Sequence, residues 1–231
     1  MNKVGRVAEP VKRGYDASRR RAAAERRRLA ILAAARDLFV EGGYAATSVQ
    51  AVAERAGVSL DTVYAAVGRK PQLLLAVHDM ALAEGPAPVP ALQRDYVRAV
   101  AEAPTADAKI RTYAAAMARV LPHTVPIMRA LREAGATEPD CAAQHDAISE
   151  RRAGNMRLFV ADLRATGELR PELSDEDAAD LVWSLNSPEW FGLVTSRGRS
   201  PEQYADLLAD VLIHTLLAEP VGVTAPRLDT T

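Results

Sequence analysis

The sequence predicts an all-α fold, and three observations support this prediction. Apolar residues make up 48% and charged residues 26% of the 231 residues, the balance of a globular protein that buries a sizeable core. Aromatic residues make up only 5%, whereas alanine, which has the highest helix propensity, is abundant. Apolar residues recur at helical spacing along most of the chain, and no convincing strand alternation or internal repeat appears.

The N-terminal end is strongly basic, although the net charge of the chain is only −1. Residues 1–36 contain eleven Lys or Arg and three acidic residues, so the rest of the chain carries about −9. Such a basic end indicates a polyanionic partner, although a solubilising tail would have the same composition. Residues 1–24 lack an apolar period and contain Gly5, Pro10 and Gly14 among charges, so we expect a flexible basic arm.

Four helices are predicted between residues 25 and 84. The first begins near Glu25 and ends at Gly42-Gly43. Thr47 and Gln50 have the spacing of a capping box, which predicts a short second helix that ends at Gly57. Ser59 offers the N-cap of a third helix, which Gly68 closes, and a fourth runs over 71–83. The residues predicted to face inward are Ile31, Leu32, Ala35, Leu38, Phe39, Val49, Val52, Ala53, Ala56, Val63, Val67, Leu74, Val77 and Leu82.

A proline-rich segment from Gly85 to Pro90 is the predicted boundary between two domains. Beyond it, residues 91–218 are predicted to form a second helical domain, followed by a flexible tail over 219–231. Its helices are expected at 91–103, 107–121, 125–134, 139–166, 175–195 and 201–218. Ser174 precedes three acidic residues, and Ser200 precedes a proline and Gln203, so both serines are expected to be N-caps.

The two short helices on either side of Gly57 have the spacing of a helix-turn-helix, with the first helix packed behind them. Residues 31–39 and the run GGYAATSVQAVAERAGVSLDTVYAAVGRKPQLL at 42–74 resemble the DNA-binding domain of the TetR (tetracycline repressor-like) family. The resemblance extends from residue 26 to about residue 80. It implies a dimeric regulator that binds a palindromic DNA operator and carries a helical ligand-binding and dimerisation domain.

The resemblance also implies roles for particular residues. Tyr64 and Lys70 would contact phosphates, and Thr47 or Ser48 would cap onto the backbone. Lys70 also lies at a helix N-terminus, whose free N–H groups favour phosphate. A buried ring and a solvated cation are the alternatives for Tyr64 and Lys70. The predicted DNA-binding set is Arg26, Thr47, Ser48, Ser59, Leu60, Asp61, Thr62, Tyr64, Ala65 and Lys70.

The third helix departs from the family pattern. It has Ala65 and Ala66 where bulky or polar residues are common, and Val67 where an aromatic is common. It therefore offers few hydrogen-bond donors to bases, and apolar contacts with thymine methyl groups are expected instead. The arginines at 19–21 and 26–28 would compensate by reaching the adjacent minor groove, unless they belong to a helical arm on the protein itself.

Other functional classes lack sequence support. No nucleotide-binding, zinc-protease or serine-hydrolase motif occurs, so we expect no enzyme. Cys141 and His145 are spaced i, i+4 but are too few for a metal site, and we expect neither metal nor cofactor. A DNA-binding architectural protein would not need the second domain. With one cysteine, no apolar run of about 20 residues and no signal peptide, the chain is expected to be cytoplasmic.

The second domain supplies the candidate ligand-binding and dimerisation residues. The residues proposed to line a cavity are Met117, Met128, Phe159, Trp183, Asn186 and Trp190, although core packing is the usual role of such residues. Because no basic cluster occurs among them, a small, largely apolar ligand that is neutral or cationic is expected. Two-fold dimerisation through the last two helices is expected to use Leu181, Leu185, Tyr204, Leu207, Leu208, Val211, Leu212 and Thr215.

Overall fold

The computed structural model describes residues 13–85 and 87–218, and it confirms the all-α prediction over this part of the chain. The α-helices of the described residues are α1 (Arg13–Ala46), α2 (Val49–Ala56), α3 (Leu60–Ala66), α4 (Lys70–Leu82), α5 (Asp95–Glu102), α6 (Ala106–Gly135), α7 (Pro139–Arg164), α8 (Asp175–Leu185), α9 (Pro188–Ser196) and α10 (Pro201–Leu216). A short 3-10 helix occupies Ala91–Gln93. The chain divides into two compact units, residues 1–77 and 78–231.

The N-terminal unit is built around a small apolar core. Helix α1 packs against α2 and α3, which also pack against each other. Ile31 and Leu32 of α1, Val52 of α2 and Val63 of α3 are completely buried. Neither of the two short helices could bury an apolar face alone, so α1 supplies the surface on which both are stable.

The C-terminal unit is organised around the long helix α6. This helix packs against α5, α7, α9 and α10, and α7 packs in turn against α8. Leu208, Leu212 and Leu216 of α10 are completely buried in this core. The connection between α7 and α8 joins the end of α10 through a single antiparallel bridge between Leu169 and Leu217.

Helix α1 begins earlier than the sequence predicted. Residues 13–24 are helical, which corrects the expected flexible arm over this range, and residues 1–12 lie outside the described part. Arginine and alanine are among the best helix formers, so the segment extends α1 without an apolar stripe of its own. The predicted tail at 219–231 also lies outside the described residues.

The division between the units lies inside α4, between Val77 and His78, and not at the proline-rich segment. Two ion pairs explain this difference. The carboxylate of Asp79 accepts a hydrogen bond from Arg151 of α7 at 2.8 Å, and that of Glu84 accepts one from Arg119 of α6 at 2.7 Å. The end of α4 is therefore held by the C-terminal unit.

Two helices differ from prediction because of prolines. Helix α6 continues through Pro122 and Pro126, since the buried side chains around them keep the helix packed in the core. The predicted helix over 175–195 is instead two helices, because Ser187 caps α9 by accepting from the Trp190 N–H and Pro188 takes the first helical position. The predicted N-caps Ser174 and Ser200 are confirmed, the latter with a complete capping box.

Candidate nucleic-acid interface and ligand site

The turn between α2 and α3 has the geometry of a helix-turn-helix. Gly57 adopts a left-handed conformation with φ of 66°, which a residue with a Cβ atom disfavours. The N–H of Val58 donates to the carbonyl of Ala53 at 3.0 Å, which closes the end of α2. The prediction that the second helix ends at Gly57 is confirmed.

Helix α3 buries one side chain, exposes three and leaves three half-buried. Val63 is the buried residue, and Ser59 caps the helix by accepting from the Thr62 N–H at 3.2 Å. Tyr64 keeps 46% of its surface exposed, so it is not a buried core ring. Of the remaining predicted DNA-binding residues, Asp61 and Ala65 are exposed and Leu60 and Thr62 are half-buried. The outer face of α3 thus carries one carboxylate and no basic side chain.

Ser48, and not Thr47, caps α2. The hydroxyl of Ser48 accepts from the Ala51 N–H at 3.0 Å, whereas Thr47 is only 4% exposed. The Thr47 hydroxyl donates within α1, to the carbonyls of Gly43 at 2.8 Å and Leu38 at 3.1 Å. The predicted capping box between Thr47 and Gln50 is therefore wrong, and the buried Thr47 side chain has little surface to offer DNA.

Basic side chains also lie on or next to α1 and α4, the two helices that flank α2 and α3 in the chain. Lys70, at the first position of α4, lies over the ring of Tyr44 with its Nζ 3.9 Å from the ring centroid, an orientation favoured by cation–π attraction. Arg69 beside it is exposed. On α1, the exposed arginines are Arg19, Arg20, Arg21, Arg26 and Arg27.

Arg28 has a structural role that the sequence did not indicate. Its guanidinium donates to the carbonyl of Ala66 at 2.5 Å, at the last turn of α3. A cation is favourable at a helix C-terminus because the free carbonyls there carry partial negative charge. Arg28 therefore fixes the end of α3 to α1, and it could not be distinguished from its arginine neighbours by composition alone.

The candidate ligand residues lie in two environments of the C-terminal unit. Met117, Met128 and Phe159 are buried, and the Phe159 ring stacks on Tyr113 with centroids 4.7 Å apart. Trp183 and Trp190 are half-buried, the latter tilted against Tyr204 at 5.2 Å.

Asn186 belongs to a buried polar cluster that joins three helices. We define this cluster as Tyr113 of α6, Arg152 and Met156 of α7, Trp183 of α8 and Asn186, the C-cap of α8. The Asn186 amide donates to the Tyr113 hydroxyl, and the Arg152 guanidinium donates to the Asn186 side-chain oxygen. Burial raises the pKa of the Tyr113 hydroxyl and lowers that of Arg152. Trp183 and Asn186 are candidates from the sequence, whereas Arg152 looks like an ordinary surface residue there and was not predicted.

The structure corrects part of the predicted dimer interface. Tyr204, Leu208 and Leu212 are completely buried within one chain, because they form the face of α10 that packs into the core, so they cannot form the surface between protomers. Leu207, Val211 and Thr215 of α10 and Leu181 and Leu185 of α8 are partly exposed, and they remain interface candidates.

Cys141 is buried, with its thiol 3.7 Å from a carboxylate oxygen of Glu138. Within residues 13–85 and 87–218, no group of three or more His, Cys, Asp or Glu side chains could hold a metal ion. Over the same residues, no helix combines the length and the apolar character needed to cross a membrane.

Comparisons with known proteins agree with this geometry. Residues 31–77 match the model of the family described as bacterial regulatory proteins, tetR family. A search of curated protein sequences finds no match.

Among solved structures, the chain is similar in fold to FadR, a fatty acid degradation regulator from Bacillus halodurans, with 15% identity over 81% of this chain and 98% of that one, and a TM-score of 0.64. It is also similar in fold to NalD, the secondary repressor of the MexAB-OprM multidrug efflux pump in Pseudomonas aeruginosa. The identity is 20% over 85% of this chain and 100% of that one, and the TM-score is 0.61. The SmeT–triclosan complex has the same fold, with 18% identity over 85% of this chain and 94% of that one, and a TM-score of 0.58.

Proposed function

Since this chain belongs to the tetR family of bacterial regulatory proteins, we propose that it is a ligand-responsive transcriptional repressor. Two copies bind a palindromic operator, and a small, largely apolar molecule releases them. The exposed face of α3, presented by a helix-turn-helix with a glycine turn, is the observation that carries the proposal.

DNA is held mainly through its phosphates. Helix α3 enters the major groove, where Leu60, Ala65 and the methyl group of Thr62 offer apolar contacts to thymine methyl groups. Tyr64 and Lys70 contact phosphates on either side, and Ser48 and Ser59 contribute from the N-termini of α2 and α3. The α1 arginines, Arg26 included, add a sequence-independent attraction.

The homodimer places two copies of α3 on successive major grooves. The partly exposed residues of α8 and α10 supply an apolar face for a two-fold interface, as closed symmetric dimers require. The interface is smaller than the sequence predicted, because the inward face of α10 is used by the protomer itself.

Ligand binding in the C-terminal unit opposes DNA binding through α4, which contributes residues to both compact units. A shift of α4 alters the spacing of the two α3 helices, and a coupling of about 1–3 kcal/mol is enough for regulation. NalD, which has the same fold, is a repressor, and SmeT forms a complex with triclosan, an apolar compound. Both observations support repression and release by an apolar ligand.

Salt dependence of DNA binding tests the first half of this proposal. An operator is obtained by selecting bound duplexes from a random pool, and its affinity is measured by fluorescence anisotropy at several salt concentrations. Log K should fall linearly against log salt with a slope of several units, and Lys70→Ala should reduce that slope by about one unit.

Arg157→Ala is the matched control, since Arg157 is an exposed arginine of α7 in the C-terminal unit, and it should leave the slope unchanged. An affinity that does not respond to salt, or a pool without enriched sequences, would show that sequence-specific DNA binding is not the function.

A further inference from the structure

The buried polar cluster has more hydrogen-bond donors than good acceptors. The Nε1–H of Trp183 is buried and has no hydrogen-bond partner. The Tyr113 hydroxyl donates to the Met156 sulfur at 3.4 Å, and the Asn186 amide lies 3.5 Å from the same sulfur. The Asn186 amide also has the Tyr113 hydroxyl as an acceptor, but a thioether is a weak acceptor, so the Tyr113 O–H has only a poor partner and the Trp183 N–H has none. Buried polar groups are normally satisfied, so the Trp183 N–H and the Tyr113 O–H are the donors that would bind an acceptor entering the cluster.

Arg152 gives the cluster a positive charge without a bound carboxylate. One nitrogen of its guanidinium donates to the Trp183 carbonyl at 3.2 Å, to the Asn186 carbonyl at 3.2 Å and to the Asn186 side chain. No ion pair involves Arg152 among the described residues. Glu189, an acidic group that acts on Arg152 electrostatically, is exposed and paired with Arg132 at 2.7 Å. A guanidinium has five donors, so several remain for a ligand.

We propose that the buried polar cluster binds the carboxylate of a small, largely apolar monocarboxylic acid, with Arg152 as its counter-ion. The regulatory consequence rests on the proposed function, in which such a ligand releases DNA. One carboxylate oxygen accepts from Arg152, and the other accepts from Trp183 Nε1 and Tyr113. The Arg152 Cζ lies 5.7 Å from the centroid of the Trp183 ring, so the cation and the indole are neighbouring side chains.

A single carboxylate fits this cluster better than other anions do. The planar fork of arginine matches the two oxygens of a carboxylate, and one cation balances one negative charge. A phosphate would bring a second charge that this cluster does not neutralise. Stacked rings of Tyr113 and Phe159 lie beside the donors and suit an apolar body. The earlier expectation of a neutral or cationic ligand assumed that no basic group was present, and Arg152 removes that assumption.

Met156 provides the movement that binding requires. Its side chain has three rotatable bonds, so the sulfur can leave Tyr113 and Asn186 with little rearrangement of the helices. The carboxylate oxygen then replaces a weak acceptor with a charged one, and such hydrogen bonds are roughly twice as strong as neutral ones.

Matched acids, alcohols and amines test the proposal. Octanoate, phenylacetate and 1-naphthoate are each compared with the alcohol and the amine that share their carbon skeleton, by calorimetric titration of the full chain. At least one acid should bind tenfold to a hundredfold more tightly than its alcohol, the range expected for a charged hydrogen-bonded contact.

Arg152→Gln should abolish that preference while leaving binding of the alcohol within about threefold, and Arg152→Lys should retain part of it. Arg157→Gln, on the same helix but exposed, should bind like the natural chain. Because acid and alcohol are compared on the same variant, a general loss of stability does not imitate the result. Equal binding of acids and alcohols, or a preference that survives Arg152→Gln, would overturn the proposal.

Operator release, measured with the same compounds, separates this inference from the proposed function. Acids that bind through Arg152 without releasing DNA would leave the carboxylate site intact and refute the regulatory coupling. Alcohols that release DNA as well as the acids do would support the regulator and refute the carboxylate site.

Discussion

The cationic groups proposed to bind DNA and those proposed to bind the ligand lie in different surroundings. In the N-terminal unit, Arg19, Arg26 and Arg69 are exposed to solvent. In the C-terminal unit, Arg152 lies among Trp183, Asn186 and Tyr113, and burial lowers its pKa. Water and salt weaken each exposed charge, so recognition there needs many of them. A buried charge is screened far less, so one residue can select a ligand.

This contrast separates two kinds of recognition. Exposed arginines attract the phosphates of any duplex, so the protein must still search along the DNA for its binding site. A buried guanidinium surrounded by donors defines one anion in one orientation. Burial thus determines whether a charge provides attraction or selectivity, and the predictions below test that principle from its largest to its smallest effect.

The largest effect is expected when an unpartnered charge enters the C-terminal core. Leu212→Asp places a carboxylate at a completely buried position of α10, and it should reduce the free energy of unfolding by on the order of 4 kcal/mol. Leu158→Asp is the matched control, because Leu158 of α7 is 63% exposed, and it should change stability by less than about 0.5 kcal/mol. Urea unfolding followed by circular dichroism measures both.

A second aspartate substitution on α10 separates the core from the proposed dimer interface. Leu207 is only half-buried in one chain, so Leu207→Asp should leave each protomer folded but produce monomers by light scattering at micromolar concentration. A stable dimer of Leu207→Asp would remove α10 from the interface. A well-folded Leu212→Asp would contradict the assignment of Leu212 to the core.

The second-largest effect is the difference in salt response between the proposed DNA-binding surface and the proposed carboxylate site. Raising salt from about 50 mM to 200 mM should weaken operator binding by about a thousandfold, if six or more phosphates are contacted. Binding of the preferred carboxylic acid should change by less than about threefold over the same range, because Arg152 is half-buried and is screened less than the exposed arginines are. Parallel titrations by anisotropy and calorimetry provide the comparison. An equal loss in both would mean that Arg152 acts as a solvent-exposed charge.

The two units also differ in how far the sequence could predict them. The turn at Gly57, the caps at Ser59 and Ser200 and the buried face of α3 depend on residues a few positions apart, so local pattern was sufficient. The contacts between helices in the cluster around Arg152 join residues 30 to 73 positions apart, and no local signal marks them. Likewise, the apolar stripe of α10 did not reveal which side the protomer itself would bury.

The smallest effect concerns Ser48, where the N-terminal unit combines a structural and a proposed DNA-binding role. Ser48→Ala removes the hydroxyl that accepts from the Ala51 N–H, and loss of an N-cap should reduce the free energy of unfolding by about 1 kcal/mol. Ser48→Asp retains the cap but places a negative charge beside the proposed phosphate. It should therefore preserve stability and weaken operator binding, whereas Ser48→Ala should lose stability with little change in the salt slope. Urea unfolding and anisotropy on both variants check these outcomes. If Ser48→Asp binds the operator as tightly as the natural chain does, Ser48 caps α2 without approaching a phosphate, and the exposed cations alone provide the attraction.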